Sequence, residues 1–148
     1  MRIMLDTNVL ISAILFPGDK INNMMNYIFL RHQLVLSSYV VEELKSVVRR
    51  KFPKKEPVIE KLLLMMSYEY VYTPDDMKEN LFSIRDVKDY PVLYTAIIED
   101  IDILITGDRD FEDIIIDKPL IMTPKEFSDK YIPVSYTHLR AHETRGNL

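Results

Sequence analysis

Two short apolar runs in this chain end on acids. Residues 2–5 (Arg-Ile-Met-Leu) stop at Asp6-Thr7-Asn8, and residues 101–105 stop at Thr106-Gly107-Asp108-Arg109-Asp110-Phe111. Two further acids stand at similar junctions. Asp89 precedes Tyr90-Pro91, a pair suited to a helix start. Glu43 lies on the flank of a helical face made by Val40, Val41, Leu44, Val47 and Val48, and its neighbour Glu42 points nearly the opposite way. Carboxylates gathered from Asp6, Glu43, Asp89 and Asp108 would repel one another, raise their own pKa values and destabilise the fold. A divalent cation removes that cost. With no Cys in the chain, an all-oxygen ligand set suits octahedral Mg²⁺ or Mn²⁺ better than Zn²⁺. Such a cation polarises a phosphodiester oxygen and lowers the pKa of a bound water, so hydrolysis of a phosphate ester is the chemistry these residues suit. Simpler readings stay open at each position. Asp6 could serve only as a helix cap, and Asp86 only as a turn former.

For four distant acids to meet, the elements between them must alternate in a regular way. The apolar spacing predicts a strand at 2–5 and helices at 9–16 and 21–31. A strand follows at 33–36, then a helix capped by Ser37 or Ser38. That helix ends in the basic run Arg49-Arg50-Lys51-Phe52-Pro53-Lys54-Lys55, either a solvated helix end or a contact for a nucleic-acid backbone. A helix at 57–66, a strand at 69–72 and a short helix at 77–81 come next. The chain then has a helix at 92–100, strands at 101–106 and 118–122, and a helix at 123–130. Strand and helix alternation of this kind predicts an α/β domain with a mainly parallel central sheet and right-handed crossovers. Asp6 and Asp108 then emerge on one edge of the sheet, outside the carboxyl ends of its strands, where ligands collect in such folds.

Composition sets the remaining bounds. The 148 residues, 47% hydrophobic and 28% charged, fit one globular domain. The absence of Cys points to a reducing compartment, and no signal peptide or membrane span is evident, so a cytoplasmic home is expected. A net charge of −4 argues against a protein that coats nucleic acid, though not against an enzyme that holds phosphates through a cation.

Taken together, Asp6-Thr7-Asn8-Val9-Leu10, Glu43-Leu44, Asp86-Val87-Lys88-Asp89 and Thr106-Gly107-Asp108-Arg109-Asp110-Phe111 resemble the PIN domain family. The closest likeness is to its branch of toxin-antitoxin toxins, related to VapC ribonucleases, and it runs from Met1 to about Lys130. The resemblance implies a three-layer α/β/α sandwich and a metal-dependent endoribonuclease that leaves 5′-phosphate and 3′-hydroxyl ends. Its acid quartet falls on Asp6, Glu43, Asp89 and Asp108, with Asn8 and Thr106 orienting the metal ligands and Asp110 as a further acid. A homodimer and a cognate antitoxin are implied as partners. Arg49, Arg50, Lys51 and Arg109 are candidates for RNA contact.

Residues 1–132 are expected to form the nuclease domain. From Pro133 the chain loses apolar periodicity, and residues 133–148 resemble the in-frame translation of a sequencing adapter. The spacing of His138 and His142 in that tail is therefore discounted as a metal motif. Two other functional classes remain. One is a non-catalytic RNA-binding protein with the same fold. The other is a phosphatase of the haloacid dehalogenase type, which expects a second acid where Asn8 stands.

Overall fold

The computed structural model describes residues 1–84, 86–107, 111 and 114–136. A five-stranded sheet in the order β3-β2-β1-β4-β5 forms the centre, and all four pairings are parallel. The strands are β1 (Arg2–Leu5), β2 (Gln33–Ser37), β3 (Glu69–Val71), β4 (Ile103–Ile105) and β5 (Leu120–Met122). Helices α1 (Thr7–Leu15), α2 (Asp19–Arg31), α3 (Ser38–Lys51), α4 (Glu56–Met65), α5 (Tyr90–Ile98) and α6 (Pro124–Tyr131) surround it. The result is a three-layer α/β/α sandwich.

The central strands show why the sequence runs are uniformly apolar. Successive residues of a strand face opposite sides of the sheet, and Ile3, Met4 and Leu5 in β1 and Ile103, Leu104 and Ile105 in β4 are all fully buried. Both faces are therefore covered at the middle of the sheet. Leu10, Met24, Ile28, Leu44, Leu93 and Phe127 supply much of that cover from the helices. Met24 and Met25 belong to this core, as filler.

Strand order fixes where a ligand can sit. From β1 the chain moves to β2 and β3 on one side, then returns to β4 on the other, so the order reverses between β1 and β4. A crevice forms at such a reversal, outside the carboxyl ends of the strands. Asp6 is the first residue after β1 and Thr106 the first after β4. Their amides extend the ladders, Asp6 N–H bonding to the Ile105 carbonyl at 3.1 Å and Thr106 N–H to the Met122 carbonyl at 2.8 Å.

Helix ends follow the local chemistry. Ser37, not Ser38, caps α3 by accepting the Val40 N–H at 3.2 Å, while Ser38 Oγ accepts the Thr73 N–H at 2.9 Å. Thr123 and Glu126 form a reciprocal capping box at α6. Each such cap stabilises its helix by about 1 kcal/mol.

The helix expected at 77–81 does not form. Asn80 has a φ of 60°, and the backbone groups that a helix would pair internally are taken by tyrosines from α5. Tyr94 Oη accepts the Lys78 N–H at 3.2 Å, Tyr90 Oη accepts the Leu81 N–H at 3.2 Å, and Tyr90 Oη–H donates to the Lys78 carbonyl. The segment is a loop laced to α5. Beyond residue 132, the Tyr136 ring meets the Tyr27 ring edge-on at 5.0 Å. His138 and His142 lie outside the described residues. No described helix is long and apolar enough to cross a membrane.

Candidate active site

At the crevice between β1 and β4 a cavity of about 220 Å³ is lined by Asp6, Thr7, Asn8, Glu43, Asp86, Lys88, Asp89 and Val92. Each of its acids arrives by a separate local device.

Asp6 is carried by the strand tip and held from two directions. Its Oδ1 accepts the Val9 N–H at 3.0 Å, which caps α1, and its Oδ2 accepts the Thr106 hydroxyl. The carboxylate is only 4% exposed, yet it borders the cavity. Capping and lining are thus compatible, because a carboxylate oxygen has more than one lone pair.

Glu43 lies one and a half turns into α3 and is half-buried, whereas Glu42 is exposed. Its Oε1 accepts the Thr7 hydroxyl at 3.2 Å. Tyr39, four residues earlier, lies on the same helix face as Glu43. Burial first, then the nearby charges of Glu43, Asp89 and Asp86, push the Tyr39 pKa up to about 12.

Asp89 precedes Tyr90, the first residue of α5, and Pro91 takes the helix's first turn, where its missing N–H costs nothing. Asp89 also ends a short 3₁₀ turn, Val87–Asp89, which Asp86 caps by accepting the Lys88 N–H at 2.9 Å. Asp86 is therefore both a turn former and part of the cavity wall.

The structure brings Asp6, Glu43 and Asp89 to one cavity, with Asn8 on its wall and Thr106 bonded to Asp6. Asp108, Arg109 and Asp110 lie outside the described residues. Among the described residues, no three His, Asp or Glu side chains are grouped tightly enough to hold a metal ion by themselves. Arg49, Arg50 and Lys51 sit in the last turn of α3, exposed, and do not line the cavity. Arg49 lies six residues beyond Glu43, about 9 Å along the axis, and pairs with Glu56 at 3.2 Å.

Two residues of the wall, Thr7 and Lys88, and Tyr39 beside Glu43 escaped the sequence reading. Thr7 was hidden inside a cap motif. Tyr39 carried a usable signal in its four-residue spacing from Glu43. Lys88 looked like an ordinary surface lysine between two acids. A second space, of about 650 Å³, opens beyond Thr106 against Phe111, Ile114, Ile116 and Met122. Among the described residues it includes one acid, Glu126, already committed to the α6 capping box.

Comparison with known proteins agrees with this fold. The fold is similar to that of VapBC2 from Rickettsia felis, solved bound to a DNA fragment from their promoter, with a TM-score of 0.64 and 21% sequence identity. The match covers 82% of this chain and 97% of that one. No curated protein sequence matches the chain significantly. The PIN domain family model matches residues 2–110, from the start of β1 through Asp108 to Asp110. A match over that span, including both strand tips and the helices between them, makes this chain a member of the PIN domain family.

Proposed function

We propose that the chain is a metal-dependent endoribonuclease, acting as the toxin of a toxin-antitoxin pair. The observation that carries this reading is the meeting of Asp6, Glu43 and Asp89 around one cavity at the β1–β4 crevice of a PIN domain. Family membership supports nuclease chemistry. Likeness of fold to VapBC2 supports the toxin branch, for which a protein antitoxin as partner and a homodimer as the assembly are the expectation.

The donor set fits Mg²⁺ or Mn²⁺. Every acidic group among the described wall residues is a carboxylate, the donor such hard cations take. Asp6, Glu43 and Asp89, with Asp108, would hold the ion, in part through the waters such ions retain. When bound, the cation supplies charge neutralisation and a more acidic water for attack on phosphorus.

The protein's own part is orientation. Val9 N–H and the Thr106 hydroxyl fix both Asp6 oxygens, so the carboxylate is aligned before any ligand arrives. The Thr7 hydroxyl holds Glu43 Oε1 in the same manner. Asn8 offers an uncharged amide on the wall where the phosphatase reading needs an acid.

The test is cleavage of a short single-stranded RNA with Mn²⁺, with EDTA, and by Asp6→Asn. Cutting that needs the metal and falls at least a hundredfold in the variant supports the nuclease. A covalent aspartyl-phosphate would favour the phosphatase, and RNA retention without cutting would leave a binding protein.

A further inference from the structure

We propose that Lys88 is the substrate-phosphate contact of this site. Its ammonium would take a non-bridging oxygen of the RNA backbone beside the acids, and the inference rests on the nuclease reading above.

Lys88 stands in the middle of the Val87–Asp89 turn, on the wall of the acidic cavity. Two hydrogen bonds fix the backbone beneath it. Asp86 accepts the Lys88 N–H through its side chain at 2.9 Å and the Asp89 N–H through its carbonyl at 3.0 Å. The turn then runs directly into α5. A flexible side chain is thereby launched from a rigid base, while its own atoms remain exposed.

Pairing is the second observation. Two lysines close onto acids nearby: Lys118 lies 3.1 Å from Asp100 and 3.2 Å from Asp102, and Lys125 lies 2.8 Å from Asp129. Lys88 shares a wall with Asp6, Glu43, Asp86 and Asp89 and forms no ion pair with any described residue. Three of those carboxylates are already oriented by hydroxyl and amide donors, Asp6 by Thr106, Glu43 by Thr7 and Asp86 by the Lys88 amide. A polyanion approaching this wall meets like charge, and among the described lining residues Lys88 supplies the one positive charge that opposes it. A compact ammonium with three donors suits a phosphate oxygen.

The experiment is steady-state cleavage of a short single-stranded RNA of mixed sequence, in Mn²⁺, over a range of KCl. Lys88→Met should raise KM about tenfold, the effect of losing one charge-assisted contact, and leave kcat within about twofold. The slope of log KM against log salt should become shallower by about 0.7, the value of one lost phosphate contact on a single strand. Lys88→Arg should return KM to within about threefold of wild type, and Lys61→Met on α4 should not change it. An unchanged KM and salt slope, or a loss confined to kcat, overturns the proposal. If Lys88→Met melts early, Lys88→Gln carries the same comparison. Absence of cleavage by the wild-type chain removes the nuclease reading, and this inference with it, before any variant is compared.

Discussion

The two ends of the parallel sheet carry similar numbers of acids and treat them in opposite ways. At the amino ends of the strands, Glu69, Glu99, Asp100 and Asp102 are answered by cations. Arg2 forms a bidentate pair with Glu69, donates to the Glu99 carbonyl and lies 3.8 Å from the Glu99 carboxylate, while Lys118 bridges Asp100 and Asp102. At the carboxyl ends, Asp6, Glu43, Asp86 and Asp89 surround a cavity, and the first three are oriented by hydroxyls and amides. Hydrogen bonds from neutral donors fix a carboxylate without cancelling its charge. The first end is built to hold strands together, the second to keep negative charge on offer. Four of the five described buried polar residues, Asp6, Thr7, Ser37 and Thr106, lie at that second end, so the fold concentrates its costliest burial there.

Exchange of charge for neutrality should separate the two ends most sharply. Asp6→Asn keeps an acceptor for the Val9 N–H and turns its NH2 toward the Thr106 hydroxyl, which can accept as well as donate, and should abolish cleavage while leaving the thermal midpoint within a few degrees of wild type or above it, because repulsion at the cavity falls. Measurement of both on one preparation decides it; a large drop in stability would make Asp6 a fold residue first. Next in size is Thr106→Val, which removes the hydroxyl from Asp6 without changing side-chain volume. Loss of a donor that orients a metal ligand typically costs 10- to 100-fold in metal affinity or activity. Mn²⁺ titration followed by cleavage rate should show the loss as weaker metal dependence, and an unaltered titration would demote the hydroxyl to packing.

At the opposite end the expected signature reverses. Arg2→Met strands Glu69 and removes the cation nearest Glu99, so stability should fall by about 1–2 kcal/mol, a modest figure because both partners are partly exposed to screening solvent. Cleavage per folded molecule should not change. Urea unfolding alongside the RNA assay tests both halves, and a cleavage defect at full folding would erase the distinction between the two ends.

How much of this was legible in the sequence depends on whether a residue's role is announced by its neighbours. The strands β1 and β4 were legible because burial on both faces demands unbroken apolar runs, and Asp6 because an acid ending such a run has few other places to be. Glu43 was separable from Glu42 by helical angle alone, and the two differ in exposure as that angle requires. The loop at 77–81 was misread as helix because the partners that unmake it, Tyr90 and Tyr94, lie on α5 and are invisible to local propensity. Thr7 and Lys88 were missed for the same reason: their meaning comes from Glu43 and from the shared wall, which only tertiary structure supplies.

The smallest effects should appear in the pH dependence of stability, where the two ends fail on opposite sides of neutrality. The Asp102 carboxyl is held below its ordinary value chiefly by the hydrogen bond from the Arg2 N–H, helped by Lys118. A depressed folded pKa gives stability that is present above the unfolded value of about 3.9 and is lost as pH falls through the lower folded value. Tyr39 is displaced the other way, to about 12, so its folded state holds a proton that the unfolded chain releases near pH 10. Stability tied to it is complete below about pH 10 and declines as pH rises toward 12. Unfolding curves at both extremes should therefore show Asp102→Asn flattening only the acid limb and Tyr39→Phe only the alkaline limb. Lys118→Met should shift the acid limb in the same sense as Asp102→Asn but less, since it is a secondary cause of the depression. If Tyr39→Phe leaves the alkaline limb untouched, burial and the cavity's acids together raise the phenol less than its surroundings imply.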